Sequence, residues 1–249
     1  MQRRTLVCFL LSLLALPACS KDPSTPDYWV QQLDAAKRSS ERVRVVDTLR
    51  SSGKMNKSFL PMLEAELAKE KNPEEKGALA RALGDLKDPS AVPALSDALD
   101  LSSSDGATSR MNSAIAQALG AIQDPRAVPA LLKLLKSKDD YVRMDAIQAL
   151  GALKATEAVP PLMELALDDA SSPQVNRRAV AALGDIGDAR AVPVLLKALY
   201  KQRGNQTFSS EASFALYQIG KPSVLPSFSP KIQNSIVCIA TNSTCSAHE

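Results

Sequence analysis

Apolar residues through the middle of the chain recur at helical spacing. Between Asp140 and Leu153, the residues Val142, Ala146, Ala149, Leu150 and Leu153 fall on one face of a helix with about 3.6 residues per turn. Val175, Ala179, Ala182, Leu183 and Ile186 draw the same face one unit later. A shorter amphipathic stretch such as Val128, Leu131, Leu132 and Leu135 precedes each of these. Pro93, Pro129, Pro160 and Pro193 sit within the first turn or so of the shorter stretches, where a missing N–H costs little. Asp88-Pro89 and Asp124-Pro125 read as helix starts, the Asp accepting free N–H groups and the Pro filling a position that need not donate.

The pattern is itself repeated. Arg81-Ala-Leu-Gly-Asp-Leu-Lys-Asp-Pro-Ser-Ala-Val-Pro-Ala-Leu95 returns in recognisable form from Gln117, from Gln148 and from Ala181, with a weaker copy from Phe214. The equivalent leucines Leu83, Leu119, Leu150, Leu183 and Leu216 are 36, 31, 33 and 33 residues apart. Each unit is a helical hairpin with an apolar face on both sides, and stacking on neighbours is what buries those faces. The chain is therefore predicted to be an all-α solenoid. Six hairpins are expected, at about 27–52, 58–86, 90–122, 126–153, 157–186 and 190–219, forming one domain over 27–226. The Ser- and Gly-containing stretch Leu101–Gly106 reads as the longest and most mobile linker.

The run Asp140-Tyr-Val142-Arg143-Met-Asp-Ala146-Ile-Gln-Ala149-Leu150-Gly151, followed by Ala158-Val159-Pro160-Pro-Leu162, resembles the HEAT repeat, in the variant first named from phycobilisome lyases. The resemblance covers residues 74 to about 226 and extends, with fewer matching residues, to 41–69. It implies a right-handed α-solenoid of about six hairpins whose concave side is lined by the helices ending in Ala-Leu-Gly. On those helices the residues opposite the buried face are Arg81, Ser113, Gln117, Met144, Gln148, Arg177, Ser210 and Phe214. That row mixes polar and apolar groups without a dominant sign. It reads either as a strip binding a protein or peptide, with Arg, Met and Phe as anchors, or as ordinary solvated helix surface. Arg143, whose counterpart in HEAT repeats bonds an acidic turn residue of a neighbouring repeat, reads as structural; the aligned positions hold Lys76, Asn112 and Asn176. Gly84, Gly120, Gly151 and Gly184 read as close-packing points.

Catalytic chemistry finds little support. The 249-residue chain has one histidine, His248, next to its last residue, which excludes most Ser-His hydrolases and zinc sites. No catalytic residue, cofactor or metal ligand is identified. Asp139-Asp140 and Asp168-Asp169 fall in interhelix turns, where caps are expected. The resemblance leaves a second expectation, an enzyme-like or accessory role akin to the bilin lyases, and a third, a structural element without a discrete groove.

The first 18 residues change the picture of where the protein works. Arg3 and Arg4 precede the apolar run Leu6–Leu16, which is too short to span a bilayer, and the sequence Leu16-Pro17-Ala18-Cys19-Ser20 follows. That reads as a signal peptide over 1–18. The small residue before Cys19 resembles the lipobox of bacterial lipoproteins and implies cleavage there, acylation of Cys19 and a tether over 19–26. Ser20, where an Asp would retain such a protein at the inner membrane, implies the outer membrane facing the periplasm; the alternative is an ordinary secreted protein cut near Ala18.

Losing Arg3 and Arg4 takes the 30 basic residues to 28 against 27 acidic ones, a balance that calls for no nucleic acid. The cations gather near the start: Lys37, Arg38, Arg42, Arg44, Arg50, Lys54 and Lys57 against Asp34, Glu41 and Asp47. Two readings stand for them, a face resting on anionic headgroups and a solvated surface. The tail 227–249 contains no Leu, so the periodicity stops there. A cap, a disordered terminus and a frameshifted or truncated gene all remain open, and Cys238 and Cys245 could close a small disulfide loop within it.

Overall fold

The computed structural model describes residues 22–203 and 206–220. The expected signal peptide, the expected acylation site Cys19, the cysteines Cys238 and Cys245 and the tail 227–249 lie outside the described residues. Among the described residues, six antiparallel helical hairpins follow one another. The first pairs α1 (Pro26–Ala35) with α2 (Ser39–Ser51), the second α3 (Leu60–Lys69) with α4 (Pro73–Leu86), and the third α5 (Val92–Asp97) with α6 (Gly106–Ile122). Then come α7 (Val128–Leu134) with α8 (Asp140–Ala152), α9 (Val159–Leu167) with α10 (Pro173–Ile186), and α11 (Val192–Tyr200) with α12 (Ser209–Ile219). The all-α solenoid expected from the repeat is what forms. One addition was not legible: β1 (Gln202–Arg203) and β2 (Gln206–Thr207) make a short antiparallel ribbon in the loop between α11 and α12.

Local chemistry sets the turns. A three-residue 3-10 turn precedes α5, α7, α9 and α11, and the Val-Pro pair that follows starts each helix. Asp88 and Asp124 accept from the backbone N–H of Ser90 and Arg126 at 3.0 and 2.8 Å, as their Asp-Pro pairs foretold, and Asp188, followed by Ala189, accepts from that of Arg190 at 2.8 Å. The unit at Ala155 has no such side chain and keeps only the backbone bond from Ala158 N–H to the Ala155 carbonyl, 3.0 Å. The stretch 98–105 is as long as any connection between described helices, but 201–208 equals it. Nor is it loosely held: Asp100 accepts from both the N–H and the hydroxyl of Ser102, and Asp105 caps α6 through Ala107 and Thr108.

The second helix of each hairpin forms an inner layer, and the Ala-Leu-Gly triplet is its interlock. A Cβ added to Gly84 would lie 2.8 Å from Ala118 Cα, and one added to Gly120 2.9 Å from Ala149 Cβ. For Gly151 against Ala182 the distance is 3.2 Å, and for Gly184 against Ala215 Cα it is 2.6 Å. Each Gly receives the Ala that precedes the core Leu of the next unit, and Leu83, Leu119, Leu150, Leu183 and Leu216 are fully buried between them. Only the absence of a side chain lets the backbones approach so near. The first helices stay further apart and leave grooves on the opposite surface, one between α3 and α5 and one between α7 and α9. Close contact on one side and open contact on the other curve the stack, with α4, α6, α8, α10 and α12 inside.

Candidate functional site

On the inner face the exposed positions of successive second helices form one line. Arg81, Gln117, Gln148 and Phe214 lie along it, Arg81 half-buried and the other three exposed. A depression of about 580 Å³ opens where α4, α6 and α8 meet, lined by Arg81, Arg110, Ser113, Gln117, Tyr141 and Asp145. A second, of about 340 Å³, continues it past Gln148. The floor is laced from unit to unit. Ser113 Oγ and Gln117 Nε2 both donate to Asp145 Oδ2, the latter over 3.1 Å. Arg178 donates to Gln148 Oε1 at 3.2 Å, and Arg110 to Glu74 Oε1 at 3.1 Å. Arg177 reaches Glu211 at 3.2 Å and the Thr207 carbonyl at 3.4 Å, while Ser210 donates to Glu211 at 2.7 Å.

The eight residues of the expected row thus divide. Arg81, Ser113, Gln117, Gln148 and Phe214 face the inner groove. Arg177 and Ser210 are engaged with Glu211. Met144 is partly buried against the core, and Asp145, one position on, takes the place beside Ser113 and Gln117. A one-residue step turns a helix by about 100°, so periodicity alone could not separate these neighbours. Sequence reasoning also missed Tyr141, 74% exposed at the groove's rim, because its place in the first turn of α8 looked like a cap region.

Several residues prove to be structural. Asp139 caps α8 through the N–H groups of Tyr141 and Val142, and Asp140 pairs with Arg143. Asp168 is held below the usual aspartate range, first by the Ser171 hydroxyl, then by the Ala170 N–H, with Arg143 contributing from the neighbouring repeat. Asp169 pairs with Lys201 at 2.9 Å. At the positions aligned with Arg143, buried Asn112 and Asn176 clamp the preceding turn. Asn112 Nδ2 donates to the Asp100 carbonyl at 2.6 Å, and Asn176 Nδ2 to the carbonyls of Leu165 and Asp168 at 2.5 and 2.9 Å.

The basic cluster near the start is largely consumed. Arg42 donates from Nε to Glu75 at 2.5 Å, from Nη1 to the Leu33 carbonyl at 2.8 Å, and from Nη2 to Glu66 and Glu70 at 3.2 and 3.3 Å. Arg50 bonds Asp85 at 2.7 Å and Lys57 pairs with Asp88 at 3.3 Å. Burial and then the neighbouring Glu70 push the Glu75 carboxyl up. Burial works against Glu70 too, but the N–H groups of Asn72 and Lys71 and the Arg42 charge outweigh it and hold that carboxyl low. Of the seven cations, Lys37, Arg38, Arg44 and Lys54 are left exposed without an ion pair among the described residues. Among those residues, no group of three or more His, Cys, Asp or Glu could hold a metal ion, and no helix is long and apolar enough to cross a membrane.

Stacked hairpins with an inner layer zipped by Gly and Ala define an α-solenoid of repeated two-helix units. The chain belongs to the HEAT-repeat family: the family model for HEAT repeats matches residues 60–139, 105–172 and 166–233. No curated protein matches the sequence. Among solved structures, the chain is similar to one in the complex of CpcE and CpcF of phycocyanin lyase from Nostoc sp. PCC7120. That match has 24% identity and a TM-score of 0.55, and covers 93% of this chain and 91% of that one. An engineered protein is also similar, at 21% identity and a TM-score of 0.50, over 86% of this chain and 66% of that one.

Proposed function

We propose that this chain is a non-catalytic HEAT-repeat scaffold that holds a protein or peptide along its inner face, tethered to a bacterial envelope membrane through acylated Cys19 and facing the periplasm. The observation that carries the reading is the groove across α4, α6 and α8. It offers an extended segment two arginines, a half-open carboxylate and the exposed Tyr141 ring, on a floor whose own polar groups are already satisfied. Four inter-unit bonds rigidify that floor, which lowers the ordering cost of binding.

A photoreactive residue placed at Gln117 is expected to give discrete protein adducts in intact cells that vanish when Arg81→Glu is added. The same group at the exposed Glu164, on the outer surface, should not give them. Identical adducts from both positions would remove the groove from the account. The tether is tested separately: Cys19→Ala should move the protein from the membrane fraction to the soluble one, and an unchanged distribution would refute it. A bilin-lyase-like role rests on likeness of fold alone, and an absorption shift on mixing the purified protein with bilin would favour it.

A further inference from the structure

The edge of the solenoid where first helices turn into second helices carries a further pocket, whose lining shares only Ser109 with that of the inner groove. Its volume is about 300 Å³, and it lies where the loop 98–105 folds against the turn between α7 and α8. Lys133, Lys136 and Lys138 reach it from one side, and the serines of the loop meet them from the other. All three lysines are exposed, and among the described residues none of them makes an ion pair. In the cluster at the start of the chain, by contrast, Arg42, Arg50 and Lys57 are each matched by a carboxylate, and only Lys37, Arg38, Arg44 and Lys54 are left without one among the described residues.

The carboxylates near this pocket are committed elsewhere. Asp100 takes the N–H and hydroxyl of Ser102 at 2.8 and 2.6 Å. Asp105 takes the hydroxyls of Ser103 and Thr108 at 2.6 and 2.7 Å, besides capping α6. Asp139 accepts from the first turn of α8, and Asp140 is paired with Arg143. These bonds also consume the hydroxyl hydrogens of Ser102 and Ser103. The hydroxyl of Ser137 accepts from the Asp139 N–H at 3.2 Å, which leaves its hydrogen to donate. Ser104 and Ser109 have no hydrogen bond from their hydroxyls among the described residues. Three ammonium groups and three hydroxyl donors therefore surround a partly enclosed space, and every nearby carboxylate is already satisfied.

Part of this charge has a structural use, since Lys133 lies in the last turn of α7, where a cation complements the helix dipole. Lys136 and Lys138 lie beyond that turn, and one dipole does not call for three cations together with the serine donors. Such a donor set matches an oxyanion bearing two charges and several acceptor oxygens. We propose that this pocket binds a phosphate monoester, with Lys133, Lys136 and Lys138 holding the phosphoryl oxygens and Ser104, Ser109 and Ser137 donating hydrogen bonds. The volume admits a phosphate with a small polar body and no large apolar moiety. The site lies at the edge opposite the start of α1 and shares only Ser109 with the lining of the inner groove.

The experiment uses the full chain with Cys19→Ala and titrates inorganic phosphate, glycerol 3-phosphate and vesicles containing phosphatidic acid, followed by calorimetry and backbone NMR. Saturable binding with shifts confined to residues 101–109 and 133–138 is expected. Lys136→Gln should weaken it about tenfold, the size of one lost charge-assisted hydrogen bond. Lys197→Gln, at another exposed lysine, on α11, should leave it unchanged. Because Lys136 is exposed and unpaired, its removal leaves the fold intact, and an unchanged melting midpoint verifies that. Binding of glycerol 3-phosphate without vesicle binding assigns a free phosphate ester, whereas vesicle binding that is lost in Lys136→Gln assigns a lipid headgroup. Absence of binding to all three probes, or equal weakening by Lys197→Gln, overturns the proposal.

Discussion

The joint between the first two hairpins and the joints that follow solve one packing problem in different ways. From α4 onward each second helix meets the next through Gly against Ala, and at Gly84, Gly120 and Gly184 the backbones lie so close that a methyl group would collide, while at Gly151 it would be a tight contact. Between α2 and α4, Arg50 stands where later units have Gly, in register with Leu49 as Gly84 is with Leu83. Its Nε reaches across to Asp85, and Arg42 gathers Glu66, Glu70 and Glu75. One kind of joint is dry and steric, the other ionic. Close packing is insensitive to salt and depends on the absence of atoms. The ionic joint depends on charge balance, and buried carboxylates without their cation are costly.

The sharpest way to break the contrast is Arg42→Met. It removes the shared cation from three carboxylates whose side chains are 5, 14 and 8% exposed, for Glu66, Glu70 and Glu75, and among the described residues leaves only Glu66 with another, Lys69. A loss of about 3–5 kcal/mol is expected. Hydrogen exchange should show it first in α1 and α2, while the amides of α8 and α10 keep their protection. Uniform loss of protection along the chain would mean that the first joint is not separate from the others.

The steric joints are tested by a matched pair. Gly184→Ala places a methyl 2.6 Å from Ala215 Cα and should cost about 2–3 kcal/mol in denaturant unfolding. Gly151→Ala meets Ala182 at 3.2 Å, and the gain in helix propensity of up to about 1 kcal/mol offsets most of its strain. Equal costs for the two would show that the distances between inner helices do not govern these joints.

A smaller effect sharpens the comparison through pH. Asp124 is held below the ordinary 3.8 first by the Arg126 side chain and then by the Arg126 N–H, and Asp188 likewise by Arg190. A folded-state value below the unfolded one means stability that is present above about pH 4 and lost as the pH falls through the lower, folded value. The melting midpoint should therefore drop between pH 4 and more acid conditions. The double variant Asp124→Asn, Asp188→Asn keeps the caps but flattens that drop. An unaltered slope would place the acid sensitivity elsewhere, with Asp105 and Asp168, which their hydrogen bonds also hold low, the next candidates.

The number of hairpins, their boundaries to within a few residues and the starts at Asp88-Pro89 and Asp124-Pro125 were readable in the chain, because they depend on local features. A 3.6-residue period, Asp-Pro pairs and a repeated Ala-Leu-Gly are short-range signals that stacking reinforces. The inner line through Arg81, Gln117, Gln148 and Phe214 was also readable, as the polar side of a helix whose other side must be buried.

Distances between units were not readable. Nothing local says that Asp145, and not Met144, meets Ser113, that Asn112 and Asn176 clamp carbonyls 12 and 8 residues upstream, or that Arg42 lies among three carboxylates from two other helices. The same limit hid the pocket beneath Lys136, which exists only because a loop from one hairpin folds over the turn of the next. Sequence determined the unit, since a helix and its caps are decided within a few residues. Tertiary structure decided which charges are spent and which are left for a ligand, since electrostatic partners are set by proximity in space and not by separation along the chain.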